Sequence, residues 1–254
     1  SSYYNSSYRD TAYKIDLGKK TIDFPLKFEQ TGISFQRFFH FYKIINKSKI
    51  DLQNQVVLDY GSYQGSFLYA CKKVFDSFTI AYDYNDEGLK FSKNYLELDE
   101  IKKTENIYED LFKTKPYLCS LIHVFEHLSK PNKFLKHVCD NILGETGYIY
   151  IEVPDIYGNH FSDPTHCFTY SKESLKYVLE KNNFEVIHME TNRIYGKIDS
   201  NILRKKLQLN LHCLAKKNLN INFNTQPLIG DKIYMESKKG HIKIFNKLLF
   251  EQIK

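Results

Sequence analysis

The run VVLDYGSYQG, residues 56–65, places an acid and two glycines at the end of an apolar stretch. A dinucleotide loop reads G-x-G-x-x-G and seats pyrophosphate at a helix N-terminus. Here the glycines are Gly61 and Gly65, Tyr63 stands between them, and Asp59 comes just before. A carboxylate at that point is a poor neighbour for pyrophosphate and a good one for a cation. The loop better suits a nucleoside with an amino-acid tail and a sulfonium, S-adenosylmethionine, whose methionine part the backbone approaches at the glycines. Asp83, 24 positions after Asp59, ends the run FTIAYD. An acid there can accept hydrogen bonds from two ribose hydroxyls. A strand-end cap or turn role is the alternative. Tyr84 beside it could pack on the same ligand or on the sheet edge. Glu109 and Asp110 stand where an acceptor could meet an adenine amino group.

A second group of candidates lies in PDIYGNHFSDPTHCFTYS, residues 154–171. Methyl transfer from a sulfonium requires an aligned acceptor, and alignment alone lowers the barrier substantially. A neutral hydroxyl acceptor also needs a base, and histidine is the usual one near neutral pH. His166 is the first candidate. His160, Asp155 and Asp163 are the second. His127, in HVFEHL, could line the same pocket or hydrogen-bond the loop backbone, and Glu126 is expected to be structural.

These residues need elements to position them, and from residue 55 strand-like and helix-like runs alternate. QVVLDY, FTIAYD, ENIYED, YLCSLIH, YIYIEVP and FEVIHME read as strands. SFLYACKKVF, NDEGLKFSKNYLEL, SKPNKFLKHVCDNIL and SKESLKYVLEKNN read as the helices between them. Ser129 is expected to cap the third helix, with Pro131 in its first turn. NLHCLAKK, residues 210–217, could add a last antiparallel strand. The alternation predicts an α/β fold with a mainly parallel sheet and helices on both faces. Ligands in such sheets bind beyond the carboxyl ends of the strands, at the switch point of strand order. Before this region, SFQRFFHFYKIINKSK predicts a helix whose Phe35, Phe38, Phe39, Tyr42 and Ile45 form an apolar face. That face either packs on the main domain or forms a lid. The expected division is residues 1–54, 55–217 and 218–254, the last as an extra hairpin and helix or an oligomer contact.

The 254 residues carry 42% hydrophobic side chains, enough for a packed core, and a formal charge of +6. Lysines are spread along the chain, with no basic block of the kind that marks a nucleic-acid tail. The five cysteines (Cys71, Cys119, Cys139, Cys167 and Cys213) form no C-x-x-C pair, so a zinc site is not expected, and no metal site is expected elsewhere in the chain. An odd, scattered set fits a reducing cytoplasm. No apolar run has the length of a membrane span, and the first residues lack a signal-peptide core. The abundance of Lys, Asn, Ile, Tyr and Phe hints at an AT-rich bacterial source.

Four pieces in order, VVLDYGSYQGSFL, IAYDYNDEGLKFS, LIHVFEHLSKPNKFLKHVCDNILGETGYIYIEVPD and DPTHCFTYSKESLKYVLEKNNFEVI, resemble class I SAM-dependent methyltransferases. The resemblance is nearer to the branch of ubiquinone-pathway and sugar methyltransferases. It covers about residues 55–190. It implies a Rossmann-like, doubly wound sheet of seven strands, to which the flanking residues are expected to add an N-terminal helical lid and a C-terminal extension. It also implies a cofactor pocket over Asp59, Gly61, Gly65 and Asp83, with His123 near the methyl group. His166 before CFTYS resembles a pattern that supplies a catalytic histidine in some sugar methyltransferases. Tyr63 departs from the family, which usually has glycine there. It could cover the methionine end of the cofactor or force another loop shape. The resemblance implies a small-molecule acceptor, such as a sugar or sugar-linked group, including a phosphoramidate, of a bacterial capsule. A scaffold subunit that binds the cofactor silently is the alternative. A nucleic-acid methyltransferase is disfavoured, because HVFEHL stands where amino-group enzymes carry Pro-Pro-aromatic.

Overall fold

The computed structural model describes residues 12–16, 21–25, 31–157, 165–195, 207–221 and 223. Nine strands and five α-helices lie in these residues. A hairpin, β1 (Ala12–Asp16) against β2 (Thr21–Pro25), precedes the helix α1 (Thr31–Lys47). Then come β3 (Val56–Tyr60), α2 (Ser66–Phe75), β4 (Phe78–Asp83), α3 (Asp86–Tyr95), β5 (Glu100–Lys103) and β6 (Leu118–Ile122). They are followed by α4 (Pro131–His137), β7 (Tyr148–Pro154), α5 (Lys172–Lys181), β8 (Phe184–Tyr195) and β9 (Leu207–Lys217). The seven strands β3 to β9 form one sheet in the order β5-β4-β3-β6-β7-β9-β8. β3, β4 and β5 pair in parallel, and β9 runs antiparallel to both β7 and β8. The expected α/β architecture is therefore present, with its strand order reversing at β3 and β6.

The chain divides into two compact units within β6, Ser1–Ser120 and Leu121–Lys254. In the first, the buried strands β3 and β4 follow from their Val, Ile and aromatic content. The apolar face of α1 packs on α2: Phe41 meets Phe67 at 4.9 Å, and Tyr42 stacks on Phe75 at 6.0 Å between ring centroids. The face is shifted from the expected one. Phe38, Phe41, Ile44 and Ile45 are fully buried, whereas Phe39 and Tyr42 remain partly exposed. The third strand is also displaced. It is EIKK of β5, not ENIYED, because the Asn106 side chain and carbonyl accept the amides of Tyr108, Glu109 and Asp110 and close a turn.

In the second unit, α5 begins with a capping box in which Ser171 and Ser174 satisfy each other's backbone amides. Pro131 occupies the first turn of α4, but Lys130 rather than Ser129 holds the cap position. The helix runs on through a π-helical turn, Val138–Ile142, that buries Val138, Cys139 and Ile142. β9 starts three residues earlier than NLHCLAKK, and its register pairs Glu152 of β7 with His212. Among the described residues no helix is long and apolar enough to cross a membrane. Residues 158–164 and 224–254, which include His160, Asp163 and most of the expected C-terminal extension, lie outside the described residues.

Candidate functional site

In the unit Ser1–Ser120 the candidate site is the loop after β3. The amides of Gly61 and Ser62 donate to the Tyr82 carbonyl at 2.8 and 3.2 Å, tying the loop to β4. Gly61 and Gly65 have φ of 72° and 75°, in the left-handed region that favours glycine. A Cβ on Gly65 would stand 2.6 Å from Leu98 Cδ1 and 2.9 Å from Ser92 Oγ. Tyr63 is in the same region, at φ 46°, so it adopts a backbone shape that glycine adopts more easily. The cost is of order 1–2 kcal/mol. The neighbouring backbone compensates. The Tyr63 amide donates to Asp83 Oδ2 at 2.7 Å, and its carbonyl accepts from Ser92 Oγ at 3.3 Å. Gly88 of α3 makes room, since a Cβ there would lie 2.8 Å from the Tyr63 carbonyl. The Tyr63 ring is 46% exposed.

Asp83 thus holds the loop. Its other oxygen accepts the Asn85 amide at 2.7 Å, and a carboxylate has further acceptor positions for ligand hydroxyls. Tyr84 beside it is 77% exposed. Asp59 lies below, buried, with Ser120 Oγ donating to it at 2.6 Å. Burial pushes its carboxyl up from 3.8 to about 7; the Ser120 hydrogen bond opposes this and the charge of Asp83 adds to it. The Ser62 hydroxyl is buried within the loop with no hydrogen-bond partner. An orphaned hydroxyl, a glycine cradle and two carboxylates fit a ligand that is polar and cationic. Asp110, expected near an adenine amino group, is engaged by the Tyr82 hydroxyl, by Thr104 and by Lys102 at 3.4 Å; Glu109 is exposed.

A second group of candidate residues lies in the unit Leu121–Lys254. His123 follows β6 with φ 56°, and its amide donates to the Glu152 carbonyl at 2.9 Å. Its ring lies between two buried carboxylates. Nδ1 is 3.1 Å from Glu126 Oε1, and Nε2 is 3.3 Å from Glu152 Oε1. Asn210 Nδ2 donates to Glu152 Oε1 at 2.7 Å, and Tyr150 OH meets His212 Nδ1 at 2.8 Å. This chain of buried polar groups was missed in the sequence. Its signals were a charged residue inside the apolar run YIYIEVP and the period-2 pair Asn210 and His212.

Beyond the 3-10 turn Phe125–His127, the segment with His166 returns to it. The Phe168 amide donates to the Glu126 carbonyl at 3.1 Å, and Cys167 Sγ to the His127 carbonyl at 3.3 Å. His127 and His166 meet edge to face, 4.8 Å between ring centroids. His127 Nδ1 lies 3.0 Å from the Thr165 carbonyl, so of its two expected roles the loop-holding one is occupied. Tyr170 stacks on Phe125, and burial with the nearby Glu126 charge pushes its phenol well up. Asp155 anchors the end of β7. It accepts from Thr191 Oγ1 at 2.9 Å and from the Tyr157 amide at 3.0 Å, and burial raises its pKa.

A methyltransferase domain family matches residues 35–189, more than half of the chain. The chain belongs to that family. Solved structures with the same fold include a SAM-dependent methyltransferase from Archaeoglobus fulgidus, 22% identical with a TM-score of 0.52, covering 71% of this chain and 94% of that one. A second, from Methanosarcina mazei, is 14% identical with a TM-score of 0.53 and covers 70% and 99%. A Haloferax volcanii methyltransferase solved with its Trm112 activator is 12% identical with a TM-score of 0.55, covering 74% and 97%. No curated protein matches the sequence. Within this methyltransferase, the loop after β3 occupies the place where doubly wound folds bind their ligands.

Proposed function

We propose that this methyltransferase uses S-adenosylmethionine to methylate an oxygen or nitrogen of a small-molecule acceptor. The acceptor we favour is a sugar or sugar-linked group, including a phosphoramidate, for a bacterial surface polysaccharide. The observation that carries the cofactor reading is the Asp83-anchored loop, with its left-handed Gly61, Tyr63 and Gly65 and its unpartnered Ser62 hydroxyl. Ser62 and the backbone of Gly61 to Gly65 would hold the methionine part, Asp83 the ribose hydroxyls, and Tyr84 the adenine face. Asp59 would balance the cationic end. Bound there, S-adenosylmethionine would supply an electrophilic methyl group, which the acceptor oxygen or nitrogen would attack in line as the sulfur–methyl bond breaks and S-adenosylhomocysteine leaves. His123, the residue after β6, is the one that the family resemblance puts near the methyl group. His166 takes the acceptor proton, and His127 holds the segment that carries it.

Calorimetric titration with S-adenosylmethionine, S-adenosylhomocysteine and NAD tests the cofactor. Saturable binding of the first two and none of NAD is expected; a folded protein that binds neither adenosyl compound refutes the reading. With labelled methyl donor and a panel of nucleotide-linked sugars, His166→Ala is expected to lower turnover by about 10²-fold or more. Its affinity for the cofactor should be unchanged. Unaltered turnover would remove His166 from the role.

A further inference from the structure

We infer that Glu126, His127 and His166 form a binding site for a divalent first-row transition metal of the zinc class. One ligand atom from each of the three lies within 4.8 Å of the other two. The carboxylate is the telling member. Glu126 is 1% exposed, and neither of its oxygens has a hydrogen-bond partner; the ion pair to His123 Nδ1 at 3.1 Å touches only Oε1. A carboxylate so placed calls for a cation. His127 is prepared for the same role. The Thr165 carbonyl, 3.0 Å from Nδ1, can only accept a hydrogen bond, so Nδ1 carries the proton and Nε2 keeps its lone pair. Metal-bound histidines are oriented in this way, by giving their second N–H to a carbonyl or carboxylate. The Phe168 and Cys167 hydrogen bonds to the backbone of Glu126 and His127 hold the chain that carries His166 on the turn.

Two imidazoles and a carboxylate suit zinc and its neighbours and leave a coordination position open. The sequence led to an expectation of no metal site because it has no cysteine pair; this set needs no cysteine and departs from that expectation. A tetrahedral ion with bonds of about 2 Å needs donors roughly 3.3 Å apart. The His127 and His166 rings both reach solvent and can turn to close the gap. An acceptor hydroxyl at the open position would have its pKa lowered and give its proton to water. His166 is then a ligand, and it serves as the base only in the metal-free protein. This consequence rests on the acceptor reading above; the binding of the ion does not.

The full chain, stripped with a chelator, is titrated with Zn²⁺ by equilibrium dialysis and with Co²⁺ by visible absorption. One equivalent of each ion is expected, with Co²⁺ bands of low coordination number. His127→Ala and His166→Ala should each weaken binding by more than about tenfold. His188→Ala, whose ring pairs with Glu190 on β8, should not. These variants alter solvent-reaching side chains, and their thermal melts verify folding. No Zn²⁺ binding by the parent protein, or unchanged binding in the His127→Ala/His166→Ala double variant, overturns the site. S-adenosylmethionine binding is measured in parallel on the stripped protein. Loss of metal with cofactor binding intact refutes this inference alone, and the converse refutes the cofactor reading alone.

Discussion

Asp59 carries an ionisation that the fold and the cofactor pull in opposite directions. Burial raises its pKa from 3.8 to about 7. Between those values the folded protein holds a proton that the unfolded chain has released, so stability falls as pH rises through this window and levels off above it. Replacing Asp59 by Asn removes the dependence. Urea unfolding between about pH 5 and pH 8 should give a smaller loss of stability in the variant than in the parent. A cationic ligand favours the ionised form, so cofactor binding near neutral pH should release a proton. The measured binding enthalpy should therefore change between buffers of different ionisation heat for the parent protein, and not for Asp59→Asn. Buffer-independent enthalpy in the parent would place the cation away from Asp59.

At the scale of elements, Tyr63 and Gly88 form one feature. Tyr63 pays left-handed strain, and Gly88 of α3 accommodates its carbonyl at a distance no side chain permits. Gly88→Ala forces the loop to move, because the obstacle is backbone and not a flexible side-chain end. We expect a cofactor affinity at least tenfold lower with a stability loss of about 1–3 kcal/mol. Titration beside a denaturant melt reads both. Tyr63→Gly should keep the loop and lose the ring, so any drop in affinity measures what the exposed ring covers. The pairing of these two residues explains what the sequence could and could not reveal. Asp59, Gly61, Gly65 and Asp83 mark the loop by type and spacing, and the alternation of strands and helices marks the sheet. Gly88 lies in a helix 25 positions from Tyr63, and only the packing of α3 on the loop gives it a role. β5 was misplaced for a related reason. EIKK is a charged edge with little apolar periodicity, and its pairing to β4 decides it. Glu152, Asn210 and His212 come together only through the antiparallel register of β7 and β9, which strand patterns leave open.

For the whole molecule, charge bears on the acceptor. The net +6 arises from 36 basic and 30 acidic residues distributed along the whole chain, so it acts as a diffuse field. A diffuse field steers anions without holding them, and salt screens it over about 10 Å at 0.1 M ionic strength. A sugar carried on a nucleotide or phosphate would feel it. S-adenosylmethionine, with its sulfonium and ammonium offsetting one carboxylate, would not be drawn in. The KM for an anionic sugar acceptor should therefore rise severalfold between low and physiological salt, while kcat and the cofactor KM stay level. The same assay with a neutral sugar separates steering from local contact, since its KM should not respond to salt. An acceptor KM that ignores salt for both would move the anion's recognition from the field of the whole chain to contacts within the pocket, and would favour an uncharged acceptor.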